Sequence, residues 1–415
     1  MDGCLIWKLM HSSYNKNLNH ARITKFGPSA FLLLDQAKRK CLLDINDKQK
    51  AEVESIADSL KENFQLCYIS HQFKYEEQEA LPERIRENFK KRDDELPPFI
   101  RDSSNSGSTV IIIGAVNEDL YLAAHTKSFL IGASWVELED KVITYGIPAP
   151  TPNAAKVILE IIANQSEWYY TCEFIVSDVP TKVVALCSAN TYGPPSNEKE
   201  IAKKFQAVLK DGDKNAATKK ALLCYLMAAI AHDNDFREVQ DWAIAPSSST
   251  DVNETMVELK EHLRYMMYGR KKDPIFVRHE ETTKSRYDKY GERVRDDYCQ
   301  KHFRSIKVHQ SYKTKLKGRV VCVIDDYLTH GNTFEALRNL LIKCEVKKII
   351  FVAIGKFLRS DEGNYITKSF SIEGDVFTSD YQATFQEKKS HQRWINLSAK
   401  RSQQELNKLA NSLGY

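Results

Sequence analysis

The stretch RVVCVIDDYLTHGNT, residues 319–333, constrains the fold of this chain more than any other. Val321–Ile324 is apolar without alternation, the pattern of a strand covered on both faces. Two adjacent aspartates, Asp325 and Asp326, follow at once. Strands buried on both faces belong to parallel sheets flanked by helices, and the surrounding sequence has the matching rhythm. AIA at 243–245 reads as a strand, TDVNETMVELKEHLRYMMYG as a helix and PIFV at 274–277 as a strand. After residues 319–325, FEALRNLLIKC reads as a helix and KKIIFVAIG as a further strand. Strands alternating with crossover helices predict an α/β fold built on a mostly parallel sheet.

A chain of 415 residues has room for two or three domains at ~150 residues each. Residues 1–152 read as one α/β domain. Its candidate strands are Phe31–Leu34, Gln65–Ser70 and Thr109–Gly114, and its candidate helices Lys50–Asn63 and Leu81–Lys91. GIPAPTP at 146–152 breaks regular structure and marks the expected boundary. Residues 153–390 form the second domain. They start with a helix over AAKVILEIIANQ and two β-rich stretches, YYTCEFIV and KVVALCSA, separated by SDVPT. One or two helices follow over 199–232, broken at GDKN. Residues 391–415 are a helical tail in which Leu406, Leu409 and Leu413 recur at helical spacing.

The longest aliphatic stretch, ALLCYLMAAIA at 221–231, is well short of the ~20 residues a membrane span needs, so it reads as a buried helix. The N-terminus has no basic segment ahead of its apolar residues and no small-residue cleavage site, which predicts no signal peptide. The nine cysteines are odd in number and include no CxxC pair, which favours a reducing, cytoplasmic setting over a disulfide framework or a zinc site. The net charge is only +4, but residues 270–319 hold 16 Lys/Arg against 7 Asp/Glu, a local excess of 16 − 7 = +9. That excess reads either as a solvated basic face or as a partner carrying several phosphates, a small polyphosphate or a nucleic acid. No zinc-finger or helix-turn-helix pattern favours direct DNA reading. No membrane partner is expected, and self-association is left open.

The acid pair stands at the carboxyl end of its strand, where open parallel sheets bind ligands. Thr329, His330, Gly331, Asn332 and Thr333 then form a strand-to-helix turn. Amides at such a turn, with a helix N-terminus behind them, make an anion site. Gly331 permits close backbone approach, and Thr329 and Thr333 add hydroxyl donors. Acceptors for sugar hydroxyls beside donors for a phosphate describe a cradle for ribose 5-phosphate. VCVIDDYLTHGNT resembles the signature of the type I phosphoribosyltransferases, with His330 where the family has Thr before Gly. His330 reads as a tolerated loop residue or as a point of functional departure. The resemblance implies a pyrophosphate loop after an upstream strand. DWAIAPSSST at 241–250 fits it, and Ser247, Ser248, Ser249 and Thr250 would hold phosphate, cap the next helix, or both. It also implies a basic hood-like loop, placed at RHEETTKSRYDKYGER (278–293), with Arg278, Lys284 and Arg286 as pyrophosphate contacts. The implied chemistry is transfer of ribose 5-phosphate from 5-phosphoribosyl 1-pyrophosphate (PRPP) to an unidentified base or nucleotide-like acceptor. Mg²⁺ is the expected cofactor, and Asp325 and Asp326 would hold the ribose hydroxyls directly or through the metal. Two other readings remain: a PRPP or nucleotide sensor without turnover, and an effector of a stress or antiviral defence system acting on nucleotides or RNA.

In the first domain, TVIIIGAVNEDLYLAAHTKSFLIGA at 109–133 is similar to the late motif of haloacid dehalogenase-like phosphatases, and YGIPAP at 145–150 fits their final segment. That resemblance implies a possible Mg²⁺ site at Glu118 and Asp119, a strand ending at Ser70, and a lysine at Lys90 or Lys91. It also requires an Asp-x-Asp nucleophile. Asp35 is followed by Ala37 and Asp44 by Asn46, so neither pair is intact. The domain reads as a degenerate dehalogenase-like unit or as an unrelated α/β domain with acidic loops, and phosphatase activity is doubtful.

Overall fold

The computed structural model describes residues 109–415 except 136, 166, 192–195, 211–214, 249–252, 271–272, 283–298, 359–363, 398, 400–402 and 414–415. Before residue 109 it describes the short strands given below and part of 97–101. The candidate strand Phe31–Leu34, the candidate helix Lys50–Asn63, and Asp35 and Asp44 lie outside the described residues.

The first sheet has seven strands: β1 (Gly3–Lys8), β2 (Arg22–Thr24), β3 (Gln65–Ser70), β4 (Phe89–Lys91), β5 (Thr109–Gly114), β6 (Phe129–Ala133) and β7 (Ile147–Ala149). Their order is β4-β3-β2-β1-β5-β6-β7. β2 runs antiparallel between two neighbours, and the other pairings are parallel. Phe89–Lys91 is therefore strand, not the end of the expected helix Leu81–Lys91. Its Lys90 and Lys91 pair with Ile69 and Ser70, so this segment completes a sheet edge. Helices α1 (Asn117–Thr126) and α2 (Asp140–Tyr145) cover the outer face, where Leu120 and Val142 meet Val110, Ile112 and Leu130.

The second sheet has the order β10-β13-β14-β9-β8-β17. β8 (Tyr170–Val176) and β9 (Val179–Ser188) form an antiparallel hairpin. Ser177 and Asp178 both take positive φ, 52° and 59°, the two-residue turn that suits strand twist. The loop is thus shorter than SDVPT suggests, because Val179, Pro180 and Thr181 join β9. β10 (Asp241–Ile244), β13 (Val320–Leu328), β14 (Lys348–Lys356) and β9 are mutually parallel. β17 (Trp394–Ile395) closes the far edge against β8. The segment around 274–277 leaves this sheet. β11 (Phe276–Arg278) instead pairs with β12 (Ile306–Val308), and Ile275 and Phe276 pack over the sheet face.

Five helices fill the space between the sheets: α3 (Pro152–Asn164), α4 (Ser196–Lys210), α5 (Ala216–His232), α6 (Glu254–Met266) and α9 (Gln403–Leu413). Side-chain alternation explains the layering. Cys322 and Ile324 of β13 and Ile350 and Val352 of β14 face this helical layer. Val321, Val323, Ile349 and Phe351 face the opposite side, which is covered by α8 (Asn332–Lys343), α7 (Gln300–Ser305) and the hairpin β15 (Tyr365–Glu373)–β16 (Gln382–His391). One apolar cluster runs from Ile111 and Ile131 of the first sheet through the helices to Val184 and Ile350 of the second. α5 is the aliphatic stretch noted above, and it is buried around its whole circumference from Ala221 to Ile230 because it has neighbours on every side. Leu406, Leu409 and Leu413 of the tail helix are buried in the same cluster. Local signals set the helix starts: Thr151 caps α3 with Pro152 behind it, and Asn215 caps α5.

A charged knot ties the second sheet together below this layer. Asp235 accepts from Lys182 of β9 at 2.7 Å and from Lys348 of β14, and Asp233 pairs with Lys182 at 2.8 Å. Burial raises the Asp235 carboxyl, but the hydrogen bonds and charges of the two lysines outweigh it and hold the group below the usual carboxylate range. A depressed carboxylate contributes stability above its unfolded value of ~4 and loses it as pH falls through the folded value. The melting temperature of the parent is therefore expected to drop more steeply than that of Asp235→Asn as pH is lowered from 5 to 3. Parallel slopes for the two proteins would refute this role.

Candidate functional site

Strand register assembles the site. Ala243 and Ile244 of β10 pair in parallel with Val323 and Ile324 of β13, and the Ala245 amide donates to the Ile324 carbonyl at 2.8 Å. The chain after β10, Pro246–Ser247–Ser248, therefore emerges beside Asp325 and Asp326. The expected pyrophosphate loop and the acid pair share one sheet edge. α6 is capped by Asn253, whose Oδ1 accepts from the Met256 amide at 3.2 Å. The capping reading of the hydroxyl run is thus wrong, because Asn253 already supplies the first helical turn with its acceptor. Ser249 and Thr250 lie outside the described residues, as do Lys284 and Arg286.

The acid pair does not end its strand. β13 continues through Tyr327 and Leu328, which pair with Gly355 and Lys356 of β14. Each carboxylate accepts from the amide that follows it, Asp325 Oδ1 from Asp326 at 2.8 Å and Asp326 Oδ1 from Tyr327 at 2.6 Å. Asp326 Oδ2 also pairs with the Lys210 ammonium at 2.6 Å. That same ammonium lies 5.5 Å from the centre of the Tyr327 ring. Burial, and then the charge of Asp326, push the Asp325 carboxyl well above the usual carboxylate range, while Lys210 pulls it down. The pair thus sets a carboxylate tied to a lysine beside a more deeply buried carboxyl.

The turn after β13 leads directly into α8. Thr329 and His330 are exposed, Gly331 is the N-cap of α8, and Asn332 and Thr333 open the helix. Gly331 takes φ +75° and no side chain caps α8, so its first amides face outward at the positive end of the helix. Glycine is required here twice over, by that φ and because a Cβ would lie 2.9 Å from the Tyr365 ring. Two lysines that sequence reasoning missed flank the turn. Lys356, buried at the end of β14, donates to the Thr329 carbonyl, and Lys368 of β15 donates to Asn332 Oδ1. Lys356 has a signal in retrospect, since it is the last residue of the next parallel strand. Lys368 has none, since it arrives on a hairpin from 36 residues downstream.

What holds that hairpin is a buried ion pair. Glu335 and Arg338 are both fully buried, and the Arg338 Nε and Nη2 reach the Glu335 carboxylate at 3.1 and 2.7 Å. Glu335 also accepts from the Tyr365 hydroxyl at 3.0 Å and the Lys368 amide at 2.7 Å. Arg338 and Asn339 both donate to the Lys368 carbonyl. Burial and the Glu335 charge hold the Tyr365 phenol well above its ordinary value. Desolvation of the pair is offset only because nearly every lone pair of the carboxylate is used.

Arg278 has a different place from the one its sequence position suggests. It is buried, and its guanidinium donates to the carbonyls of Ser247 and Pro246 and to Ser305 Oγ. It braces the loop from beneath. Thr282 fastens the start of the basic segment to the Ser248 carbonyl at 2.9 Å. Behind them, burial first and then the charges of Arg278, Lys301 and Lys368 drive His302 down to about 3.

The N-terminal candidates are placed as follows. Asp119 is fully buried and its Oδ2 accepts from the amides of Ala115 and Val116 at 3.0 and 3.2 Å, so it caps the β5–α1 turn. Glu118, the residue before it, is exposed. Ser70, Lys91 and Gly114 all end parallel strands of one sheet. Among the described residues no group of three or more His, Cys, Asp or Glu is arranged to hold a metal ion. Asp325 and Asp326 still fit Mg²⁺, which binds through one or two carboxylates together with substrate phosphates.

Two substitutions test this construction. Arg338→Leu leaves Glu335 buried and uncompensated and is expected to lower unfolding free energy in urea by about 3–5 kcal/mol. Gly331→Ala is expected to cost about 1–2 kcal/mol for the left-handed backbone, read by urea unfolding. No family model matches this chain, and no curated protein or solved structure matches it either.

Proposed function

We propose that this chain is a PRPP-dependent phosphoribosyltransferase whose second sheet is arranged as in the type I family and whose first sheet is a Rossmann-like, dehalogenase-like domain without a working nucleophile. The observation that carries the reading is the register of β10 against β13. It sets the Pro246–Ser248 loop, the acid pair and the uncapped start of α8 along one edge, in the order that PRPP requires. The segment joining β11 to β12 is tied to that loop by the Thr282 amide on the Ser248 carbonyl, and holds seven Lys/Arg against six Asp/Glu. In the first sheet, the parallel strands taken alone follow the order 3-2-1-4-5-6, that of doubly wound nucleotide-binding domains.

In this reading the α8 amides hold the 5-phosphate, with Lys368 beside them. Asp325 and Asp326 hold the 2- and 3-hydroxyls of the ribose, and the Ser247–Ser248 loop receives pyrophosphate. Mg²⁺ bound with the substrate supplies charge neutralisation of the leaving pyrophosphate. Lys210 is displaced from Asp326 or shares it with a ribose hydroxyl, which makes ligand binding an exchange of partners. A second reading, PRPP sensing without turnover, draws support from that ion pair, since a carboxylate already satisfied by a lysine is a poor start for catalysis.

The test is pyrophosphate release from PRPP and Mg²⁺ across a panel of bases. Release that Asp325→Asn/Asp326→Asn lowers at least 100-fold supports transfer. Mg²⁺-dependent PRPP binding with no release on any base supports the sensor. Equal behaviour of parent and double variant, with no binding, would sink both. Lys210→Ala is expected to tighten PRPP binding several-fold by freeing Asp326, read by calorimetry.

A further inference from the structure

A cavity of about 690 Å³ lies on the opposite side of the second sheet's strands from the acid pair. It is bounded by α1 of the first sheet, by the C-terminal end of α6, and by Gln240 and Arg319, which precede β10 and β13. Arg319 and Asp325 are six residues apart along one strand, a separation of ~20 Å. The two sites are therefore distinct.

Its lining has a consistent chemistry. Lys127, Arg264, Arg270 and Arg319 contribute cations, Tyr121, Tyr265 and Tyr268 contribute rings, and no carboxylate lines it. Arg264 and Arg319 lean on acids behind the wall, with Arg264 at 2.9 Å from Glu261 and Arg319 at 3.9 Å from Asp241. Lys127 donates to the Arg237 carbonyl. Burial holds Lys127 below its ordinary value, and the Arg237 charge adds to this while Glu238 acts the other way.

Tyr268 supplies an independent observation. α6 ends in a Schellman pattern, with the Gly269 amide on the Arg264 carbonyl at 2.7 Å and the Tyr268 amide on that of Tyr265 at 3.1 Å. The left-handed position of that motif normally takes glycine. Here Tyr268 occupies it at φ +56° and is 59% exposed at the cavity rim. Its hydroxyl meets His125 Nε2 at 3.1 Å, with ring centres 4.6 Å apart. An aromatic residue kept at a backbone cost, with its ring in solvent beside cations, points to a flat ligand.

We propose that this cavity binds a nucleotide, its base stacked on the Tyr268 rim and its phosphate on the Arg270–Arg319 wall, separately from the acid pair. The volume suits such a ligand. β10 and β13 run from this cavity to the acid pair, so occupancy here bears on the strands that carry the other site.

The experiment is calorimetric titration of the full chain with AMP and with GMP, using adenosine and inorganic phosphate as competitors. Tyr268→Gly, which suits the left-handed backbone, and Arg270→Ala are each expected to weaken nucleotide binding at least tenfold. Asp325→Asn/Asp326→Asn is expected to leave the Tyr268- and Arg270-dependent binding step in place. Three results would each overturn the proposal: no binding of either nucleotide, binding insensitive to both cavity variants, or binding abolished only by the aspartate variant. Displacement by inorganic phosphate as effective as by nucleotide would also overturn it, reducing the cavity to a bare anion site.

Discussion

The burial of α5 is the constraint on which the rest of the structure depends. A helix apolar on every side has no face to give to water, so it is stable only where neighbours surround it. Here α3, α4, α6 and α9 pack around it and the two sheets close the layer from either side. That requirement draws the C-terminal helix into the centre through Leu406, Leu409 and Leu413. It also makes the residues on either side of GIPAPTP share one apolar cluster, since Ile131 of β6 and Ala154 of α3 both belong to it.

With that layer in place, the second sheet is buried on both faces, and its parallel register becomes the instrument that builds the site. The strands deliver these residues to one end of the sheet: Ser247 after β10, Asp325 and Asp326 near the end of β13, Lys356 at the end of β14. The other component is the Glu335–Arg338 pair. Its role is placement more than net stability, since a buried ion pair gains little over apolar packing. Through Tyr365 and the Lys368 backbone it fixes a hairpin over α8, and so sets Lys368 at the turn and the Tyr365 ring against Gly331.

The charges at this edge are arranged as partial opposites. Asp326 pairs with Lys210 beside Asp325, and burial, with the cations around it, drives His302 down. Arg278 is withdrawn into the interior. Its guanidinium is needed to satisfy the carbonyls of a loop that turns away from the sheet.

While β17 fell within the expected helical tail, the sequence alone determined five of the six strands of the second sheet, the extents of β3 and β5, and the acid pair with its glycine turn. These are legible because they rest on short-range causes: unbroken apolar runs, caps, and a residue that must take positive φ. It misjudged Phe89–Lys91 and the 274–277 segment, whose states are set by their partners across a sheet. Tertiary structure alone decided that Asp326 meets Lys210, that Lys356 and Lys368 flank the turn, and that Arg278 braces the loop instead of facing outward. Those contacts join residues far apart in the chain, and no local pattern encodes a distance that only packing brings to zero.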